Sequence, residues 1–240
     1  MNKQAVAVIM ARSGSKELKD KNIRTLGAVP LLGRAVAACL DAGGMVGRVI
    51  VSTDDDRYAD VALKFGAEVS IRPAELATDT ARIDEGAAWT LRSVYGDSPM
   101  PPVTLMVQAN IPIWAPGTIA SILKRMAIGD VTGVMTGHEV RERPEWMMKA
   151  IAPGSDIIEL YGEECRYTNR QQLPEIYHID GQVCAVHTAY LLGPFPRIVF
   201  GALGPRIAIW KHEMPYTLDV ESESDLVVGE ALLTWNKEKK

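Results

Sequence analysis

No stretch of this 240-residue chain holds the about 18 consecutive apolar residues that a membrane-spanning helix needs. Its early apolar run, in MNKQAVAVIMARSGS, might be mistaken for a signal peptide, but it is only about 7 residues long and ends at Arg12, too short to span a membrane. The expectation is a soluble chain that is not exported. Cysteine is scarce: Cys39, Cys165 and Cys184 are odd in number and have no zinc-like spacing. That excludes a disulfide framework and predicts reduced thiols in a cytoplasmic protein. Positive charge is not in excess either. The 26 Lys and Arg face 30 Asp and Glu, a formal net charge of −4, which argues against a general nucleic-acid binder. A P-loop (GxxxxGK then Ser or Thr), a GxGxxG fingerprint, a GxSxG elbow, a Cys–His signature and a metal-like His pair are all missing.

What is present is a globular composition, 47% hydrophobic and 23% charged, at a length that suits one domain or one domain with a sub-domain. Strand and helix signals alternate through the first half. AVAVIM (5–10), RVIVST (48–53), AEVSI (67–71), VTLMVQA (103–109) and DVTGVMT (130–136) read as strands. Between them, 30–43, 55–66, 84–96 and 116–129 carry apolar residues at helical spacing. Such alternation predicts an α/β fold, a mostly parallel sheet with helices on both faces, and ligands outside the carboxyl ends of the strands. Residues 137–176 are charged, turn-rich and aperiodic, too long for a simple connection, and read as an inserted arm or small β sub-domain. Strands return at 181–188 and 206–212, and a last helix spans about 222–236 with Ser222 as N-cap.

Several stretches could carry chemistry. ARSGSKELKDKN (11–22) follows the first strand, and its small residues leave backbone N–H groups open to an anion. Arg12, Lys16, Lys19 and Lys21 add positive charge there. A triphosphate site and a plain solvated loop both fit that composition. Asp219 and Glu221 in LDVES stand two apart at a strand end, so one face would present both carboxylates. That arrangement suits Mg²⁺, or is simply an acidic strand end. In VSTDDD, Asp55 and Asp56 favour the start of the following helix, and Asp225 fits a capping box at the last helix. Gln108 and Asn110 in VQANIP either bond a sugar or base or belong to an ordinary turn. RPEWMMK (143–149) would touch substrate or cover a subunit interface, and the lone His178 reads first as structural.

IMARSGSKELKDKN resembles the P-A-R-x-G-S-K-x-x-x-x-K-N signature of the CMP-sialic acid synthetases, the acylneuraminate cytidylyltransferases, which are related to the CMP-Kdo synthetases. The resemblance runs on through GAVPLLGRAVAACLDAG, RVIVSTDDDRYADVALKFGAEV and RPAELATDT. It returns in RQQLPEIYHIDGQVCAV and YTLDVESESDLVVGEALL, so it spans nearly the whole chain. It implies a three-layer fold like that of the nucleotide-diphospho-sugar transferases, a single domain over 1–240, with 137–176 as a dimerisation arm of a homodimer. It implies Mg²⁺-dependent transfer of CMP from CTP to the anomeric hydroxyl of an acidic 2-keto sugar, with release of pyrophosphate. Neither nucleic acid nor membrane would be a partner. By resemblance, Arg12 and Lys16 hold the triphosphate, together with the Ser13–Gly14–Ser15 turn. Lys21 stabilises the α-phosphate and Asn22 contacts the nucleotide. Arg72 and the backbone near Thr80 to Arg82 form the base pocket, and Asp219 with Glu221 holds metal. Gln108, Asn110, Arg170, His178 and Asp180 make up the implied sugar-binding set.

The departures lie mostly at the sugar end. Ser13 and Glu17 replace the glycines of the usual G-G-S-K-G, and Glu17 brings negative charge beside the expected triphosphate. QANIP stands for Q-P-T-S-P or, in the Kdo enzymes, Q-G-D-E-P, whose Asp binds metal and is here Asn110. His178-x-Asp180-Gly181 stands for R-x-N-G, and Glu221 for the second Asp of D-x-D. Two alternatives stay open: the same fold with a Kdo-like acceptor or another nucleotide, and an inactive nucleotide-binding protein.

Overall fold

The computed structural model describes residues 4–140, 142–161, 167, 169–194, 201–213, 216 and 218–238. Cys165 lies outside them, as does the side chain of Arg170. The chain divides into two compact units, 1–137 with 180–240, and 138–179.

The larger unit is built on apolar strands. β1 (Ala5–Met10) is buried along nearly its whole length because both of its faces are covered. A β2–β3 hairpin (Thr25–Leu26 and Val29–Pro30) follows, then α1 (Leu31–Leu40), β4 (Val46–Thr53), α2 (Asp56–Lys64), β5 (Glu68–Ile71) and α3 (Ile83–Tyr95). Next come β6 (Val103–Gln108), α4 (Thr118–Ala127) and β7 (Gly133–Glu139). β8 (Met148–Ala150) and β9 (Ile158–Leu160) belong to the smaller unit. β10 (Tyr177–His187), α5 (Thr188–Leu192), β11 (Ile207–Lys211) and α6 (Glu223–Glu238) complete the order. The seven-stranded sheet runs β11-β7-β10-β6-β1-β4-β5. β1 pairs in parallel with β4 and β6, β4 with β5 and β7 with β11, whereas β10 runs antiparallel to β6. The mostly parallel sheet expected from the alternation is therefore present.

Alternation along β1 separates the layers. Ala5, Ala7 and Ile9 join a core with Leu32, Val36 and Cys39 of α1, Tyr58 of α2 and Ile122 of α4. Val6 and Val8 point to the opposite face, where α3 crosses β1 and meets α5. Each Val or Ile so buried contributes about 1.5–3 kcal/mol. A second, smaller core joins Leu18, Leu26, Leu31, Ile113, Val220 and Leu226. It ties the loop after β1 to the start of α6.

Sequence reasoning missed the hairpin, whose turn places Gly27 and Ala28 at φ +57° and +63°, and the single-turn α5. Leu218–Glu221, expected as a strand end, forms no strand. A backbone bond from Val220 N–H to Asn110 O (2.9 Å) is present, without a ladder around it.

The smaller unit pairs β8 with β9 in antiparallel register. Arg143, 6% exposed, donates to Pro174 O at 2.9 Å and to Glu139 Oε1 at 3.2 Å, and Val140 N–H donates to Ile176 O.

Candidate active site

Strand register assembles the site. Met10 lies beside Gln108 on one side and Ser52 on the other, and Ser52 lies beside Ser70. Two residues further along each chain the row reads Asn110, Arg12, Asp54, Arg72. An amide and alternating charges thus cap the carboxyl ends of four adjacent strands. A cleft of about 280 Å³ opens over this row, with Arg12, Ser15, Lys21, Asn22, Arg72 and Gln108 in its wall. Its other side is the turn from Leu76 to Ile83.

The loop after β1 is braced at three points. Ser13 donates its backbone N–H and its hydroxyl to the two carboxylate oxygens of Asp54, both at 2.9 Å. Leu18 is 3% exposed in the second core. Buried Asn22 donates to Arg12 O at 3.3 Å. Asp54 sits where register alone would have placed it, opposite residue 12, and that was the signal available for finding it. Arg72 is buried, donating to Ser52 O at 2.9 Å. Its pKa is lowered by burial and by Arg12, with Asp54 opposing the shift.

Three of the loop cations, Arg12, Lys16 and Lys21, meet carboxylates. Lys21 Nζ lies 2.5 Å from Glu221 Oε1. Arg12 Nη1 and Lys16 Nζ each take one oxygen of Asp79, at 2.6 and 2.5 Å. Glu17 is exposed and lies outside the cleft lining. Thr80 is exposed too, while its neighbours Asp79, Ala81 and Arg82 line the cleft, Arg82 bonded to Asp84.

Asn110 Nδ2 donates to Asp219 Oδ1 at 2.6 Å and approaches Glu221 Oε1 at 3.4 Å. Val220 between the two acids is fully buried, so both carboxylates turn to one side although no strand forms. Asp225 fixes this segment. Its Oδ2 accepts from Glu221 N–H, Ser222 N–H and the Ser222 hydroxyl, the expected capping acid at the start of α6. Asp219 keeps an exposed edge, yet the protein around it and the neighbouring Glu221 raise its pKa above the ordinary 3.8. Asn110 and Lys21 offset part of that.

Asp180, part of the sugar-binding set that the resemblance implies, has a side chain only 3% exposed and does not line the cleft. Thr136 donates to its Oδ1 at 2.5 Å, Gln182 N–H to the same oxygen at 2.9 Å, and His212 Nε2 lies 2.6 Å from its Oδ2. Burial pushes its pKa up, but these bonds outweigh burial and hold it below 3.8. Its carboxylate is occupied in holding strands together. The next two residues reach the site from behind. Gly181, at φ +77°, leaves room for the Gln108 amide, into whose Nε2 a Cβ there would run. Buried Gln182 donates to Ile111 O and Ile113 O at 3.1 and 3.0 Å. His178 lies in the smaller unit, its ring tilted against His138 with centroids 5.2 Å apart.

The cytidylyltransferase family model matches residues 6–138, from the first strand through this cleft. The chain belongs to the cytidylyltransferase family. It is a nucleotidyltransferase, as expected from the loop signature. It is 32% identical over 187 residues to the CMP-N,N'-diacetyllegionaminic acid synthase of Legionella pneumophila subsp. pneumophila, covering 74% of this chain and 75% of that one. It is 27% identical over 179 residues to the N-acylneuraminate cytidylyltransferase of Streptococcus agalactiae serotype V, covering 74% of this chain. The match spans 42% of that longer enzyme. In fold it superimposes on a CMP:2-keto-3-deoxy-manno-octonic acid synthetase complexed with CTP. The TM-score is 0.69 at 17% identity, with 97% of this chain and 99% of that one covered.

Proposed function

We propose that this cytidylyltransferase transfers CMP from CTP to the anomeric hydroxyl of an acidic 2-keto sugar of the nonulosonic class, releasing pyrophosphate. The observation that carries the reading is the cleft over the strand ends, which gathers Arg12, Asn22, Arg72 and Lys21 in one wall. Family membership and the synthase relatives support it. Arg12 and Lys16 would take the β- and γ-phosphates, Lys21 the α-phosphate, and Arg72 with the turn at 80–82 the base. Gln108 would meet the sugar. Binding triphosphate would exchange the carboxylate partners of Arg12, Lys16 and Lys21 for phosphate oxygens, which form charge-assisted bonds of the same kind and are linked in one ligand.

A Mg²⁺ ion fits Asp219 and Glu221. Among the described residues no group of three or more His, Cys, Asp or Glu could hold an ion. Two carboxylates completed by substrate phosphates are nevertheless the usual Mg²⁺ arrangement. The pKa of Asp219 is raised first by burial and then by the neighbouring Glu221 carboxylate, and a cation placed between the two would oppose both. When bound, the ion would neutralise charge on the phosphates during displacement.

The smaller unit exposes Trp146, Met148, Ile157, Ile158 and Tyr161, each more than 40% accessible, along its β8–β9 sheet and flanks. A second copy of the chain would cover them, so a homodimer belongs to the reading. Among the described residues no helix is long and apolar enough to cross a membrane. A cytoplasmic enzyme drawing on CTP is consistent with that.

The test is pyrophosphate release from CTP with a panel of nonulosonic and Kdo-type acids. Release with a nonulosonic acid, lost in Asp219→Ala, is expected. A folded, dimeric protein that releases none with any acid of the panel would refute the reading.

A further inference from the structure

Asp79 stands in the part of the cleft where the triphosphate is expected. Each of its oxygens takes one cation of the loop after β1, Arg12 at 2.6 Å and Lys16 at 2.5 Å. The side chains are 32% exposed for Arg12, 80% for Lys16 and 38% for Asp79. That exposure separates this cluster from a permanent brace such as Asp180 and His212, which are 3% and 2% exposed. Ion pairs in contact with water are weak and exchange readily. The tip of the turn, around Asp79, is lightly held, by a backbone bond from Ala81 to Thr78 at 3.3 Å and a Thr78–Thr80 hydroxyl contact at 3.4 Å, after firmer bonds from Leu76 to Pro73 and from Ala77 to Ala74, both 3.0 Å.

We propose that Asp79 is an internal competitor for the phosphate seat. It holds Arg12 and Lys16 in position while the enzyme is empty, and it yields to linked phosphates. The proposal rests on the reading that these two cations take the triphosphate. Asp79 is then a positioning residue acting through Arg12 and Lys16. A ligand with phosphates on both cations must displace it, so it weakens CTP and pyrophosphate alike. CMP, whose single phosphate belongs beside Lys21, does not meet it. Pyrophosphate would leave faster because the carboxylate is tethered where it can retake both cations.

The test compares Asp79→Asn, Asp79→Glu and Arg12→Ala with the unaltered protein. The readouts are titration of CTP and CMP without divalent cation and the inhibition constant of pyrophosphate. In Asp79→Asn, CTP and pyrophosphate should bind roughly two- to tenfold tighter, the factor that losing exposed ion pairs allows. CMP affinity should move by less than about twofold, and Asp79→Glu, which keeps the charge, should stay near the unaltered protein. Unchanged or weaker CTP binding in Asp79→Asn, alongside weaker CTP binding in Arg12→Ala, would overturn the proposal and leave the triphosphate reading standing. Unchanged CTP binding in Arg12→Ala would overturn that reading and the proposal with it.

Discussion

Asp180→Ala is the sharpest separation of a structural residue from a substrate-binding one. The carboxylate accepts from the Thr136 hydroxyl, the Gln182 amide and His212 Nε2 in a site 2–3% exposed. Alanine leaves the amide and ring nitrogen without an acceptor, at about 1–3 kcal/mol each. The Thr136 hydroxyl retains Val183 O at 3.3 Å, so its loss is smaller. With the loss at Thr136 the sum is about 3–5 kcal/mol, the cost of leaving buried polar groups without partners. For a domain of this length that is a fall in Tm of about 10 °C. Asp180→Asn, which keeps a carbonyl acceptor, should fall between. The folded pKa is depressed, so the stability Asp180 contributes is present above its unfolded value of about 3.9 and lost as pH falls through the lower folded value. The Tm gap should therefore be full between about pH 5 and 7 and narrow below about pH 4. Thermal melts across pH, with urea titrations at pH 7, measure both. A variant melting within ~2 °C of the unaltered protein at pH 7 while losing turnover through a raised sugar KM would refute the reasoning, because Asp180 would then be touching substrate.

Asp54→Ala releases both bonds to Ser13 and should raise the KM for CTP about five- to tenfold, the worth of one or two hydrogen bonds, by steady-state kinetics. Gly181→Ala forces an L side chain to φ +77°, about 1–2 kcal/mol, and drives a methyl into the Gln108 amide. A fall in Tm of several degrees and a raised sugar KM with unchanged CTP KM are expected from melts and kinetics. Because the pKa of Asp219 is raised, ionising it costs stability as pH rises through the folded value, and a cation relieves that cost. Mg²⁺ should raise Tm more at pH 7.5 than near pH 4, and the acid limb of activity should shift to lower pH as Mg²⁺ increases.

The parallel sheet was legible because β1, β4 and β6 are buried on both faces and therefore read as continuous apolar runs. The loop cations were legible because Arg12, Lys16 and Lys21 crowd one short stretch at a strand end. Asp54 was not, because it sits among three adjacent acids, and only pairing β1 against β4 sets it opposite Arg12. The surroundings of Asp180 were not legible because Thr136 and His212, which enclose its carboxylate, come from distant parts of the chain. The β2–β3 hairpin escaped because each strand is two residues long and Ala28 adopts a left-handed conformation unusual for its type.

The segment from Gln108 to Ile113 is gripped from two distant parts of the chain. Gln182 holds the carbonyls of Ile111 and Ile113, Gly181 sets the Gln108 amide, and Val220 and Asp219 hold Asn110. If Gln108 and Asn110 meet the sugar as proposed, sugar preference is epistatic: a relative's residue grafted alone at 108 or 110 would land on supports shaped for another side chain. Acceptor range would change in blocks, with 108–113, 180–182 and 219–221 inherited or exchanged together, while the phosphate loop stays the same.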